Sequence, residues 1–246
     1  MSLAILEILK SKNIKADVAA GLSLGEYSAL IYSGLFSFEE GVKLVQKRGT
    51  YMQALVPEGE WSMAAIIGLG DEETRTICES VKSGFVRVAN YNCNGQIAIS
   101  GEKKAVREAM EKAKEAGARK AIELNTAGPF HTEKLKEASK ELRKELDNVK
   151  INELKIPVIK NIDGMPYKQE DDIKQILADH IISPVKFTKT LDTMVEMEVD
   201  TFIEVGPGKV LSGFAKRINS DKCFNILNVN NVESLENAIE FVTHIM

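Results

Sequence analysis

The sequence lacks the features typical of membrane, nucleic-acid-binding and disulfide-rich proteins. No apolar run approaches the roughly 20 residues of a membrane span, and no signal-peptide pattern opens the chain. There is no basic block, and the net charge is −4, which argues against nucleic acid as a partner. The three cysteines, Cys78, Cys93 and Cys223, stand outside any metal-ligand spacing. We therefore expect reduced thiols, no metal, no membrane contact and a cytoplasmic protein.

Helical and strand patterns alternate along the 246 residues, which predicts an α/β fold. Residues 57–126 have the order β-α-β-β-α-β of a ferredoxin-like subdomain, with punctuation at Pro57-Glu58-Gly59 and Ala127-Gly128-Pro129. The strands are expected at 62–69, 85–91, 96–100 and 119–124, and the helices at 72–82 and 102–116. This subdomain is predicted to be an insert in an α/β core formed by residues 1–56 and 127–246.

The core segments have helix and strand signals of their own. An amphipathic helix spans 3–9, a short strand is expected at 16–20, and Ser37 opens a helix with a capping box. After the insert, the patterns predict helices at 132–149, 171–182, 188–198, from 209 onward and at 234–244. They also predict strands at 157–162, 201–205 and 224–229.

The segment Gly21-Leu22-Ser23-Leu24-Gly25 lies between a predicted strand and a predicted helix, as in a nucleophile elbow. A serine on such a turn is forced outward, and we expect both glycines to be required because a Cβ at either position would crowd the turn. The free backbone N–H of Leu24 at the helix start is a candidate oxyanion donor. An ordinary structural turn is the alternative interpretation.

A serine nucleophile needs a base, and the chain has only three histidines. His180 lies within an apolar helical pattern, which favours a structural role. His244 is two residues from the C-terminus, where fraying would disturb catalytic geometry. His131 lies at a loop-to-helix boundary that could aim its imidazole at the serine. Its position alone fits a helix-start residue equally well.

Six ordered motifs together resemble the malonyl-CoA:acyl carrier protein transacylases of fatty acid synthesis over essentially the whole chain. They are residues 20–30, 46–53, 89–97, 128–131, 183–187 and 204–208. The resemblance implies a hydrolase-like parallel-sheet core carrying the ferredoxin-like insert. It also implies malonyl transfer from malonyl-CoA to acyl carrier protein through an acyl-serine, with no cofactor. We expect a monomer. The family more often has histidine where this chain has Leu22.

The resemblance also assigns roles to single residues. Ser23 attacks the thioester, His131 takes its proton, and a backbone carbonyl in 183–186, that of Lys186, orients the imidazole. Arg48 binds the malonyl carboxylate; without the motif, an isolated helical arginine would be interpreted as a surface residue. Asn90 and Asn92 are predicted to line the substrate cleft, although hydrogen bonds between strands would explain them equally well.

Two other functions remain open at this stage. A serine esterase or thioesterase would use the same serine and histidine with water as acceptor, but Arg48, the insert and the absence of an evident acidic third member argue against it. A truncated acyltransferase-like module with impaired activity is the other. Family members begin roughly 70 residues earlier, with a strand and a Gly-Gln-Gly type loop that would supply the second oxyanion donor.

Overall fold

The computed structural model describes residues 1–126 and 128–245, which form a mixed α/β fold, as predicted. Ala127, at the predicted end of the insert, lies outside the described residues. The helices are α1 (Ser2–Ser11), α2 (Leu24–Tyr32), α3 (Phe38–Ala54), α4 (Asp71–Ser80), α5 (Lys103–Glu115), α6 (Lys136–Asp147), α7 (Ile173–His180), α8 (Phe187–Glu196), α9 (Val210–Ala215) and α10 (Val232–Ile245). The strands are β1 (Trp61–Ile67), β2 (Val86–Cys93), β3 (Gln96–Glu102), β4 (Lys120–Leu124), β5 (Val185–Lys186), β6 (Thr201–Val205) and β7 (Asn225–Val229).

A five-stranded sheet has the order β4-β1-β3-β2-β5. Its first four strands pair antiparallel and, with α4 and α5, follow the β-α-β-β-α-β order predicted from the sequence. The fifth strand, β5, pairs parallel to β2 and comes from outside the predicted insert. Two residues are too few to give an alternating pattern, so β5 could not be predicted.

Strands β6 and β7 lie where the sequence predicted strands, and they pair in parallel. The prediction of strands at 16–20 and 157–162 was wrong. These segments share only one parallel bridge, between Ala19 and Val158. Beyond it, the side chain of Asn161 takes the place of a strand partner. Asn161 Nδ2 donates to the Gly21 carbonyl at 2.7 Å, and Asn161 Oδ1 accepts from the backbone N–H of Ser23 at 2.6 Å. The backbone ladder therefore stops where the elbow begins.

The helix expected from residue 132 begins four residues later, at Lys136. His131 has a φ of 58° and Thr132 is extended, and a short 3-10 turn at Glu133–Leu135 follows before α6 starts. The loop that carries His131 is therefore longer than the charge pattern suggested. No helix in the described residues is long and apolar enough to cross a membrane.

Helix α3 is the element that carries Arg48 into the interior. Ser37 opens it with the predicted capping box, accepting a hydrogen bond from the Glu40 amide at 3.2 Å. Leu44, Arg48 and Met52 follow at intervals of one helical turn, and all three are buried. The spacing that buries the two apolar side chains therefore buries the arginine as well.

Candidate active site

Ser23 sits directly before α2 in a strained backbone conformation, with φ 52° and ψ −100°. Such angles cost energy for a residue with a side chain, and they persist only when the surroundings fix them. Asn161 supplies that restraint by bonding the backbone on both sides of Leu22, at Gly21 and at Ser23. Asn161 is completely buried. The turn is thus held as the nucleophile-elbow pattern predicts.

The two glycines of the elbow differ in why they are there. A Cβ on Gly21 would lie 2.0 Å from the carbonyl carbon of Gly25, so no side chain fits. A Cβ on Gly25 would meet nothing within 4 Å. The expectation that both positions exclude a side chain is therefore correct for Gly21 and wrong for Gly25. Gly25 lies close to Gly21 through its backbone atoms, and the direction in which its own Cβ would point is open.

We expect Gly21→Ala to lower the free energy of unfolding by about 3 kcal/mol or more, since overpacking against fixed backbone has no flexible side chain to displace. Gly25→Ala is the matched control and should change stability by less than about 1 kcal/mol. Urea unfolding followed by circular dichroism compares the two variants. Equal losses of stability would contradict this account of the turn.

His131 lies against the serine, although 108 residues separate them in sequence. Its Nε2 is 2.8 Å from Ser23 Oγ. Its Nδ1 faces two backbone carbonyls, that of His180 at 3.0 Å and that of Ser183 at 3.2 Å. Because a carbonyl only accepts, Nδ1 carries the proton and Nε2 is left to accept from the serine hydroxyl.

The sequence predicted an orienting carbonyl within 183–186, and the Ser183 carbonyl lies in that segment, but the choice of Lys186 within it was wrong. The Lys186 carbonyl accepts a hydrogen bond from the Thr190 hydroxyl at 3.3 Å instead. The carbonyls that do face His131 lie at and just beyond the end of α7, which stops at His180. Carbonyls in the last turn of a helix have no helical partner and are free to accept elsewhere.

Burial lowers the pKa of His131 to about 4, and the positive charge of Arg48 adds to this effect against the two carbonyl hydrogen bonds. The imidazole is therefore neutral, and able to act as a base, at any pH well above 4. We expect the acid limb of serine acylation to lie near pH 4 rather than near the ordinary histidine value of about 6.5. The acid limb is measured from quenched single-turnover acylation rates between pH 3.5 and 8, with circular dichroism at each pH as a folding control. In folded protein, a rate that falls by about tenfold for each pH unit below pH 6, instead of levelling off until about pH 4, would contradict the assignment.

Arg48 reaches the same serine from α3. Its Nη2 donates to Ser23 Oγ at 2.8 Å, and the residue is only 6% exposed. Among the described residues, no carboxylate forms an ion pair with it, and its Nε has no hydrogen-bond partner. The neighbouring Lys47, by contrast, points outward to Glu145 at 3.1 Å. The structure thus places Arg48 in the interior and Lys47 on the surface.

The other predicted residues are less closely engaged. Leu24 is the first residue of α2, so its amide has no helical carbonyl to bond. Asn90 and Asn92 lie on β2, with Asn90 buried, but in the described part of the chain neither side chain bonds Ser23, His131 or Arg48. The Leu22 side chain packs against an apolar cluster that includes β5 and α8 residues.

Sequence reasoning missed the buried polar residues behind the elbow: Glu26, Asn161 and Tyr167. Glu26 is in α2 one turn after Ser23, and Tyr167 donates to its carboxylate at 2.6 Å. Periodicity treats a polar residue as solvent-facing, so no signal in one sequence could have found them. No group of His, Cys, Asp or Glu side chains in the described ranges is arranged to hold a metal ion.

Comparison with known proteins gives a consistent result. The profile of the acyl transferase domain family matches residues 1–229. The malonyl CoA-acyl carrier protein transacylase of Bacillus subtilis is 43% identical over 97% of this chain and 75% of its own length. The crystal structure of the malonyl CoA-acyl carrier protein transacylase from Clostridium perfringens superposes on this chain with a TM-score of 0.94. The two sequences are 44% identical, and the match covers 99% of this chain and 77% of the other.

A second solved structure bears on partners. It is a type II PKS acyl-carrier protein in complex with its malonyl-transacylase, and it matches with a TM-score of 0.92 at 36% identity, over 98% of this chain and 78% of that one. The chain therefore spans about three quarters of the length of these relatives.

Proposed function

The chain belongs to the acyl transferase domain family, as a malonyl-CoA–acyl carrier protein transacylase of fatty acid synthesis, and we propose that Ser23 carries the malonyl group during transfer. The acyl donor is malonyl-CoA and the acceptor is the phosphopantetheine thiol of acyl carrier protein. An acyl-serine divides the transfer into two thioester–ester exchanges, each with its own tetrahedral intermediate.

The observation that supports this assignment is the unpaired charge of Arg48. Burying a guanidinium without a carboxylate partner lowers the stability of the free protein, because its desolvation is not compensated. Binding of an anion next to it would supply that compensation. Because Arg48 already touches Ser23 Oγ at 2.8 Å, an acyl group on that oxygen brings its far end close to the guanidinium. A malonyl group ends in a planar carboxylate, which two parallel N–H···O bonds from arginine would bind.

The chemistry follows from the hydrogen bonds of the dyad. Ser23 Oγ attacks the thioester carbonyl while His131 Nε2 takes the hydroxyl proton, and the two carbonyls at Nδ1 stabilise the imidazolium that forms. Collapse of the tetrahedral intermediate expels CoA thiolate, which takes the proton from Nε2. The thiol of the carrier protein then attacks malonyl-Ser23, and the same steps run in reverse. We assign the Leu24 amide as one donor to the oxyanion.

Several finer features belong to the same proposal. We assign residues 57–126 to a ferredoxin-like insert, since their four strands have the order β4-β1-β3-β2 with both helices packed against them. Residues 1–56 and 127–246 would form the hydrolase-like core, with the parallel pairs β6–β7 and Ala19–Val158 as part of it. We also propose a cytoplasmic, monomeric enzyme whose cleft is lined by Asn90 and Asn92.

Incubation with malonyl-CoA, followed by mass spectrometry of the intact protein and its peptides, tests the proposal. We expect a malonyl adduct on Ser23 that persists without acceptor and moves to holo acyl carrier protein when it is added. Rapid release of free malonate would favour a thioesterase instead. The absence of any adduct would overturn both enzyme assignments.

A further inference from the structure

Glu26 is a buried carboxyl group that the mechanism above does not use. It is 1% exposed and lies in α2, one helical turn after Ser23. Its Oε1 accepts a hydrogen bond from the Tyr167 hydroxyl at 2.6 Å, and its Oε2 accepts one from the backbone N–H of Asn161 at 3.4 Å. Two hydrogen bonds from neutral donors hold the carboxyl group in one orientation without neutralising it.

The same Oε2 lies 3.2 Å from Nδ1 of His180. The His180 ring is completely buried, and neither of its nitrogens has an aligned hydrogen bond among the described residues. The His180 ring also lies 5.2 Å from the ring of His131, measured between centroids, with 35° between the planes. The His180 imidazole is therefore adjacent to both the carboxyl group of Glu26 and the catalytic base.

Glu26 is also connected to both halves of the dyad through the backbone. Glu26 accepts a hydrogen bond from the backbone amide of Asn161, and the side chain of Asn161 accepts one from the backbone amide of Ser23. Glu26 also faces the ring of His180, and the backbone carbonyl of His180 accepts a hydrogen bond from His131 Nδ1. A change at Glu26 would thus reach the nucleophile and the base together.

We propose, on the basis of the function assigned above, that Glu26 is a positioning residue whose carboxylate acts through His180 as the acidic third member of the Ser23–His131 pair. When His131 takes the serine proton, a positive charge forms in a buried site that already contains Arg48. A carboxylate one ring away offsets that charge in the transition state without contacting the substrate.

The charge on Glu26 is set by all the groups that face it. Burial raises its pKa to about 7, against the lowering effects of the Tyr167 and Asn161 hydrogen bonds and of Arg48, while Asp163 raises it further. The neighbouring Tyr27 has its own pKa raised by burial and stays neutral. Burial, His131 and Arg48 lower the pKa of His180, so that ring is neutral. Glu26 is then the group in this cluster that gains charge near pH 7.

Glu26→Gln is the test, because the amide keeps the shape and the acceptor for Tyr167 but has no charge. Single-turnover malonylation of Ser23 is measured for both proteins from about pH 5.5 to 9. We expect the ratio of wild-type to variant rate to be near one at the lowest pH. It should rise through a midpoint near 7, where burial places the Glu26 pKa, to roughly tenfold at the highest, the effect of about one pKa unit on His131.

A purely structural role for Glu26 would give a ratio that does not change with pH, and that result would overturn the inference. Tyr167→Phe provides a second, independent readout. It removes a hydrogen bond that favours the ionised carboxyl group, so the step near pH 7 in the malonylation rate should move to higher pH. An unmoved step in folded Tyr167→Phe protein would also count against Glu26. Failure of the wild type to form malonyl-Ser23 at all would instead contradict the proposed function.

Discussion

Ser23→Ala should form no malonyl adduct and should transfer malonyl to acyl carrier protein at least about 10⁴-fold more slowly than the wild type. The reason is that both half-reactions need the hydroxyl oxygen, and mutations in units that act together cost about this much or more. Intact-protein mass spectrometry measures the adduct, and transfer to the carrier protein is measured in the same reaction. Ser28→Ala, on the same helix α2 and one of its half-buried residues, is the matched control and should retain transfer.

His131→Ala should cost nearly as much as Ser23→Ala, and the double variant no more than either single one. The hydroxyl at 2.8 Å is activated only when Nε2 accepts its proton, so removing either partner removes the same step. Additive losses in the double variant would mean that the two residues act separately. A normal adduct in Ser23→Ala would place the acyl group on another residue.

The sequence predicted a site made of Ser23, His131 and Arg48, and the structure brings these three side chains together. Part of the reason is local. The strand-to-helix turn at Ser23 and the capping box at Ser37 are short patterns with steric and hydrogen-bonding causes. The burial of Arg48 follows from its spacing to Leu44 and Met52, but spacing alone also fits an arginine at the edge of the helix. Only the motif match separated the two, and the contact with Ser23 at 2.8 Å agrees with it.

What could not be predicted depends on contacts between distant segments. The sequence placed an orienting carbonyl within 183–186, which includes Ser183, but it selected Lys186 and missed His180, because which carbonyl faces an imidazole is decided by tertiary geometry rather than residue type. Asn161 replaces a strand partner through its side chain, so the apolar run around it was interpreted as a strand. Glu26 read as a charged residue on the first turn of a helix, where a carboxylate is ordinarily solvated.

Arg48→Ala should lower the rate constant kcat/KM for malonyl-CoA by about 10²–10³-fold, because losing one partner of a buried charged pair costs roughly 3–4 kcal/mol. Acetyl-CoA has no carboxylate to bind, so acylation of Ser23 by acetyl-CoA should fall much less. The ratio of the two kcat/KM values, from competing substrates and mass spectrometry of the adducts, gives the change in selectivity directly. Lys47→Ala is the control: it removes a surface cation one residue away and should leave the ratio unchanged.

The stability of an Arg48 variant separates binding from packing. A buried guanidinium that lacks a carboxylate partner destabilises the free protein, and an apolar side chain of similar length removes that cost. Arg48→Met should therefore unfold in urea at the same concentration as the wild type or a higher one, while losing the preference for malonyl-CoA. A variant that is both unstable and unselective would indicate that Arg48 supports the fold. An equally selective variant would remove it from the substrate site, since the charge would then have no anion to meet.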